Sequence, residues 1–440
     1  MMVSGSKWLV IGLVLAAVVA VMIARRSASV TITTTKAVRV VHVSSPVDMP
    51  QLFAERAEPV IYRNWGNISG WTCFGKNWSA LAVAEALAHD GKLSFMQQRT
   101  PNFVLSSDGQ NVHWPLAIAK RYVLTDLIPA AVFSRESGSD TFPYQYHAGE
   151  LTDERLLQDV QPNLLDFRHP LLDQGNWPEG LSRKVVWVST AGVRASFHHD
   201  RSENAFVQIA GRKRWRLVSP VNADAVFSPF PIYHGSRRQA QRNWDTTNAR
   251  PWPLGAVAAV EWIADLVPGD LLVTPPFFYH EVEAVDDSVS ISVLSPSPEE
   301  VLFGQVRGAA LAVQLSRFAV ADRVVATATL LDALITSAGR NAAATMRSLR
   351  NNRYEPLDLK PTTAAIVCSR ERTSRSAIQQ RLQPEWNDAL QGAGLLQKHT
   401  IFVRNPGAAE ILLTDLVEEL LAKVLDFDPA KTSKALHTCW

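Results

Sequence analysis

"SFHHDRSENAFVQIAGRKRWRL", from Ser196 to Leu217, sets two adjacent histidines before an aspartate and wedges a lysine between two arginines. Its alternation of apolar and polar residues marks strand, and in a strand alternate side chains share a face. His198 and Asp200 are then partners, and His199 points the other way. One of the two histidines, not both, can share a metal with Asp200. The second imidazole has to arrive from a distant strand. "PGDLLVTPPFFYHEVE" (Pro268 to Glu283) provides it, because a Pro-Gly-Asp turn and a strand lead to His280. Two imidazoles and one carboxylate make the facial triad of non-haem Fe(II), which leaves three adjacent coordination positions open.

The same parity governs "GRKRWRL". Arg212, Arg214 and Arg216 fall on one face, and Lys213, Trp215 and Leu217 on the other. A lysine with apolar neighbours points inward, where an ammonium is costly unless it meets an anion. 2-Oxoglutarate meets that need: its C1 carboxylate and keto oxygen chelate iron, and its distal carboxylate reaches Lys213. The arginine face is expected to be solvated or packed on acidic neighbours rather than to form a nucleic-acid surface.

Outward from these stretches, Lys184 to Leu294 is a run of short strands punctuated by Gly, Pro and Asp, as in a β-barrel or jelly roll. Upstream, "PVIYRNW" (Pro59 to Trp65) reads as a buried strand, and "WSALAVAEALAHDG" (Trp78 to Gly91) as a helix with a glycine stop. Beyond Pro298 the composition shifts to Ala, Leu and Arg, and strand signals fade. Glu299 to Ser337 reads as amphipathic helix. Asn405-Pro406 then offers a cap and first-turn proline for a helix with Ile411, Leu412, Leu416, Leu420 and Val424 on one face. The division expected is a β domain over residues 40–298 and a helical region over 299–440. Those helices either pair two subunits as a homodimer or cover one end of the barrel.

The chain of 440 residues is 47% hydrophobic and 20% charged with a formal net charge of +2, which excludes a polyelectrolyte and leaves nucleic acid neither demanded nor ruled out. Three cysteines, Cys73, Cys368 and Cys439, lie far apart, so neither a disulfide framework nor a zinc site is encoded. The N-terminus differs. "WLVIGLVLAAVVAVMIA" (Trp8 to Ala24) is uncharged, follows Lys7 and stops at Arg25-Arg26. Residues 1–26 are expected to be a transmembrane helix anchoring a single-pass protein in an endomembrane, with a cleaved signal or organelle presequence as the alternative. The flanking charges do not reveal orientation. Residues 27–39 read as a polar tether.

From about Val40 to Ser295 the chain resembles the JmjC-type, cupin-like Fe(II)/2-oxoglutarate oxygenases. The likeness is to their small hydroxylase branch, typified by the asparaginyl hydroxylase that inhibits hypoxia-inducible factor. "HHD", Asn204 within "ENAFVQIAG", Lys213 in "GRKRWRLVSP" and "PGDLLVTPPFFYHEV" carry the likeness, with "KVVWV", "PVIYRNW" and "FPYQYHAGEL" in support. The resemblance implies a double-stranded β-helix with helical decoration. It implies iron at His198, Asp200 and His280, the distal carboxylate of 2-oxoglutarate at Lys213, and a cosubstrate pocket lined by Asn204 and Tyr146. Two departures stand out. Ala195 replaces a threonine common three residues before the first metal histidine, and Leu294 replaces an asparagine after "SISV". Both remove hydrogen bonds to the cosubstrate.

The activity expected is hydroxylation of a macromolecule, a protein side chain first, with a tRNA base or a methyl-lysine as alternatives. Trp187, Phe277, Phe278 and Tyr279 are expected to help keep the cavity dry. The losses at Ala195 and Leu294 favour a different class, a membrane-tethered binding protein without catalysis. A metal cupin of other chemistry is the third reading, and Lys213 weighs against it.

Overall fold

The computed structural model describes residues 31–44, 58–88, 144–161, 165, 182–221, 223–234, 236–241, 258–357, 359 and 372–440. It also describes short strands at Lys92–Leu93, Met96–Gln98, Asn102–Phe103, Val123–Leu124 and Ile128–Pro129. The strands that matter here are β1 (Thr31–Ala37), β2 (Arg39–His42), β3 (Val60–Arg63), β4 (Tyr144–Glu150), β5 (Arg183–Ser189) and β6 (Arg194–His199). They continue as β7 (Glu203–Ala210), β8 (Lys213–Val218), β9 (Ala258–Leu266), β10 (Leu271–Thr274), β11 (Tyr279–Ala284) and β12 (Ser288–Ser295).

Two sheets face each other. One runs β1-β9-β8-β11-β6 and ends on Asn102–Phe103. The other runs β2-β3-β10-β7-β12-β5-β4 and ends on Met96–Gln98 and Val123–Leu124. Successive strands β5, β6, β7 and β8 alternate between the sheets, as do β10, β11 and β12, so the chain winds as a double-stranded β-helix. Between the sheets, Trp215, Leu217, Trp262 and Phe278 meet Ile61, Phe206 and Leu272. The other face of the larger sheet carries Val186, Val188, Ala205, Val207 and Val273, covered by Trp65, Trp71, Trp78 and helix α1 (Ala80–Leu87). A strand buried on both faces needs apolar residues at consecutive positions, which is why "AFVQIA" in β7 is nearly continuous.

The Pro-Gly-Asp turn before β10 is built by close approach. Gly66 donates its N–H to the Gly269 carbonyl at 2.8 Å, and a Cβ on Gly66 would come within 2.7 Å of the Gly269 Cα. Gly269 sits at φ +92, open to glycine at little cost. Asp270 accepts from Arg63 and from the Val267 N–H, which pins the turn to β3.

The outer face of the smaller sheet is covered by the C-terminal helices, with Phe197, Val218 and Tyr279 in one apolar cluster with them. After α2 (Glu154–Asp159) and α3 (Ala223–Phe227) come α4 (Pro298–Ala312), α5 (Val320–Ser337), α6 (Ala342–Leu349), α7 (Arg372–Lys398), α8 (Thr400–Arg404), α9 (Pro406–Val424) and α10 (Pro429–Thr438). Helix α9 is capped by Asn405, as its sequence predicts, but it is buried on nearly every side rather than along one face. Gly407 lets its first turn meet Pro220, where a Cβ would lie 2.5 Å from the Pro220 carbonyl carbon. The apolar face offered to a second subunit is thus consumed within the chain, and the structure gives no support to the homodimer.

Three expectations change. Among the described residues no helix is long and apolar enough to cross a membrane. The longer apolar helices carry charges that pair inside the protein, Asp415, Glu418 and Glu419 in α9 being examples. The N-terminal transmembrane helix and the single-pass membrane localisation drawn from it are therefore corrected; the stretch itself, residues 8–24, lies outside the described residues. The polar tether is also corrected. Thr31–Ala37 pairs in parallel with β9, because a Thr-rich stretch of β-branched residues suits a sheet edge. Finally, Cys73 is free and buried while Cys439 is disulfide-bonded, a link that three scattered cysteines do not signal.

Candidate metal centre

Strands β6 and β11 pair antiparallel, with His198 opposite His280 and Ala195 opposite Val282. Three steps on β6 match two on β11, so a bulge lies between Ala195 and His198. That extra residue puts Ala195 and His198 on the same, inward face. The two imidazole rings stand 4.2 Å apart. Asp200 follows directly after β6, and its Oδ2 lies 3.8 Å from His280 Nε2. One ligand atom from each of His198, Asp200 and His280 lies within 4.8 Å of the others.

Backbone carbonyls set the tautomers. His198 Nδ1 is 2.8 Å from the Ser196 oxygen, and His280 Nδ1 is 3.0 Å from the Phe278 oxygen. A carbonyl only accepts, so each Nδ1 carries the proton and each Nε2 lone pair is free for a metal. Burial, with His198 beside it, pushes the His280 pKa down to about 4, so the ring is neutral at physiological pH. Burial opposes the charge of Asp200, yet attraction to the imidazolium forms of His280 and His198 and to Arg238 outweighs it as pH falls and holds the carboxyl below its ordinary value. Two imidazoles and one carboxylate fit a divalent ion of the Fe(II) type.

His199 faces the opposite way, as strand parity predicts. It is buried against Phe277 at 5.8 Å and Tyr279 at 4.9 Å between ring centroids. Burial, with Arg238 and Arg201 nearby, keeps it neutral. Phe277 and Tyr279 therefore pack on the outer face with His199, and do not line the interior as expected. Trp187 and Phe278 do face inward.

Lys213 is 4% exposed, on the inward face with Trp215 and Leu217. Among the described residues no carboxylate lies within ion-pair distance of its ammonium, which sits 5.3 Å over the Phe206 ring. Burial pushes its pKa down to about 7. The arginines of β8 and its preceding turn are spent on acids outside: Arg212 on Asp286, Arg214 on Asp265, and Arg216 on Glu261 and Glu281.

Asn204 on β7 stands between Thr274 and Leu294 in the sheet. Its Oδ1 is buried and has no hydrogen-bond partner among the described residues, and the same holds for Thr274 Oγ1 and the Trp215 indole nitrogen. Trp215 stacks on His280 at 5.0 Å. Tyr146 on β4 stacks on Trp187 at 5.9 Å, and burial followed by the charge of Asp200 raises its phenol pKa. The structure thus brings His198, Asp200, His280, Lys213, Asn204 and Tyr146 to one interior. Sequence reasoning missed Thr274 and the indole donor of Trp215. Parity marks both as inward, but nothing in the sequence shows that their polar atoms stay unpaired. It also missed Arg238, held at φ 69 with its charge on Asp200.

Comparison with known proteins bears on this interior. The family described as Cupin-like domain matches residues 46–294. Among curated proteins, the tRNA wybutosine-synthesizing protein 5 of Gallus gallus is 26% identical over 144 residues, 31% of this chain and 43% of that protein. The Danio rerio protein of the same name is 28% identical over 116 residues, 26% of this chain and 33% of that protein. The Jumonji C domain-containing protein 5 of Drosophila melanogaster is 31% identical over 109 residues, 24% of this chain and 26% of that protein. The matches span less than half the length of each relative.

Proposed function

The chain belongs to the cupin-like domain family, and from that premise we propose that it is an Fe(II)- and 2-oxoglutarate-dependent dioxygenase that hydroxylates a macromolecule. The observation that carries this reading is the pairing of two features on one interior. A two-histidine, one-carboxylate set with its Nε2 atoms free lies in the same barrel as a buried lysine that has no counter-charge among the described residues.

In this reading His198, Asp200 and His280 hold the iron, and the carbonyls of Ser196 and Phe278 orient the two rings. Bound iron supplies oxygen activation, in which 2-oxoglutarate is decarboxylated to succinate and carbon dioxide while one oxygen atom enters a substrate C–H bond. Lys213 binds the distal carboxylate of 2-oxoglutarate and so recovers the cost of its own burial. Asn204, Thr274 and the Trp215 indole offer the buried polar atoms that a dicarboxylate or its bound water satisfies. Tyr146 and Trp187 wall the pocket and exclude water. Ala195 and Leu294 supply no hydrogen bond there, so cosubstrate affinity rests more heavily on Lys213.

A protein side chain is the first substrate class, in keeping with the resemblance to the small hydroxylase branch. A tRNA base is the second, and the names of the Gallus gallus and Danio rerio relatives favour it. The test of the reaction is succinate formation from 2-oxoglutarate by the purified protein with Fe(II) and ascorbate. Absence of succinate from protein that binds the metal would leave a binding protein without catalysis. Stimulation of turnover by bulk tRNA, or by a peptide library, separates the two substrate classes.

A further inference from the structure

The residues next to two of the three candidate metal ligands lead away from the pocket to a single guanidinium in the C-terminal region. Arg353 follows α6, in a π-type turn over Arg350–Tyr354, and its side chain is buried. Its Nη1 donates to Asp415 Oδ1 at 2.6 Å and to Glu418 Oε2 at 2.8 Å, both on α9. Its Nη2 donates to Asp224 Oδ2 on α3 at 2.8 Å.

From those carboxylates two arms return to the metal-bearing strands. Asp415 also accepts from Arg201, the residue immediately after Asp200. Asp224 sits on α3, the helix that packs on Tyr279, the residue immediately before His280. Tyr279 is held by stacking on Phe227 of α3 at 4.5 Å. A direct strut joins the two segments as well, since Phe277 donates its N–H to the Asp200 carbonyl at 2.7 Å. Strand parity explains the layout. Tyr279 points outward because His280 points inward, and the outward face is where the helices dock.

Burying three carboxylates around one arginine is expensive, and breaking such a group leaves uncompensated charge. Packing α9 on the barrel does not require it, because Leu412, Leu416 and Leu420 already supply an apolar contact. What the charged group adds is direction: a fork in a rigid plane fixes where Asp415 and Asp224 sit, and through them Arg201 and Tyr279.

We propose that Arg353 is a positioning residue that sets the spacing of Asp200 and His280 through Asp415–Arg201 and through α3, where it holds Asp224 while Phe227 stacks on Tyr279, so that the C-terminal helical region completes the metal centre. This rests on the metal reading of His198, Asp200 and His280.

The test is a titration of the full-length apoprotein with Co(II), followed by its visible absorption, which reports both affinity and ligand geometry. Arg201→Gln and Phe227→Leu each cut one arm, the ion pair to Asp415 and the stack on Tyr279, and leave Arg353 in place, so they fold even where Arg353→Lys does not. Leu412→Ala serves as the control for destabilisation of the same helical core. Each arm variant is expected to weaken Co(II) binding about tenfold or more, in the range seen for groups that orient metal ligands, and to alter the Co(II) spectrum. Leu412→Ala is expected to lower the melting temperature and leave affinity and spectrum of the folded protein unchanged. Wild-type affinity and spectrum in both arm variants overturn the positioning role while the metal site stands. A wild-type chain that takes up no Co(II) overturns the metal reading and this proposal with it.

Discussion

His198 and His280 stand directly opposite one another across β6 and β11, their rings 4.2 Å apart, while His199 lies behind them against Tyr279. One dipeptide thus serves two compartments, the interior of the barrel and the seam beneath the C-terminal helices.

His198→Ala should abolish metal binding and turnover, whereas His199→Ala should keep both and lose stability instead. The stacked, buried ring of His199 makes that loss about 2 kcal/mol. Metal titration beside chemical denaturation of the two variants separates the effects. Equal loss of metal in both would show that the division of faces is wrong.

Lys213→Met should raise the 2-oxoglutarate concentration needed for half-maximal succinate formation. A hydrogen bond to a charged group contributes about 1.5–3 kcal/mol, or roughly ten- to a hundredfold in affinity. Arg212→Met should change little, since that side chain is exposed and paired with Asp286. An unchanged requirement in the lysine variant removes the cosubstrate role from Lys213.

The same lysine gives a pH signature without cosubstrate. Its pKa falls from 10.5 to about 7 in the folded chain. Between those values the unfolded chain binds more protons, so this residue makes stability rise with pH across that window. Below about pH 7 both states are protonated and the full penalty applies. Lys213→Met should therefore be more stable than the parent by a few kcal/mol near neutral pH and below, since each tenfold loss of proton affinity on folding corresponds to about 1.4 kcal/mol. The advantage should fade as pH approaches 10.5. Denaturant titrations at several pH values measure it, and a constant difference would contradict a desolvated amine.

Ala195→Thr should tighten 2-oxoglutarate binding. The β6 bulge keeps position 195 on the inward face with His198, where a hydroxyl can reach the cosubstrate. One neutral hydrogen bond contributes about 0.5–1.5 kcal/mol, so half-saturation should fall by roughly two- to tenfold. No change, with the fold intact, would place the distal carboxylate elsewhere.

Removing residues 1–37 should cost more than removing 1–30. The longer deletion strips β1 from β9 and leaves a row of unpaired backbone groups from Ala258 to Ile263. It should lower the melting temperature and promote self-association, both visible in scanning calorimetry and light scattering. Identical behaviour of the two truncations would show that β1 adds nothing to the sheet.

Much of the candidate site was legible because strand parity is local. Which of His198 and His199 faces Asp200, and which face of β8 holds Lys213, follow from counting by twos. The bulge before His198 was not legible, since a bulge is a mismatch between two strands and a single strand does not display it. Phe277 and Tyr279 were misplaced for a related reason. Their aromatic character marks them as buried, but burial occurs on both sides of this sheet. Residues 31–37 read as tether because polar β-branched residues suit an exposed edge strand as well as they suit a linker.

Composition, periodicity and turn residues determined by themselves that this chain builds a β core with helices after it, and that two histidines and an aspartate share an interior with a lysine. Tertiary structure alone decided that Asn204, Thr274 and Trp215, on the same interior, leave polar atoms unpaired among the described residues. It alone decided that Arg353 gathers carboxylates from distant parts of the chain, Asp224 being 129 positions away, and that Arg201 reaches Asp415 across 214. The physical reason is range. A side chain's direction within its strand is set by neighbours one and two residues away, but whether its charge or hydrogen-bonding group is satisfied depends on which remote segment folds against it.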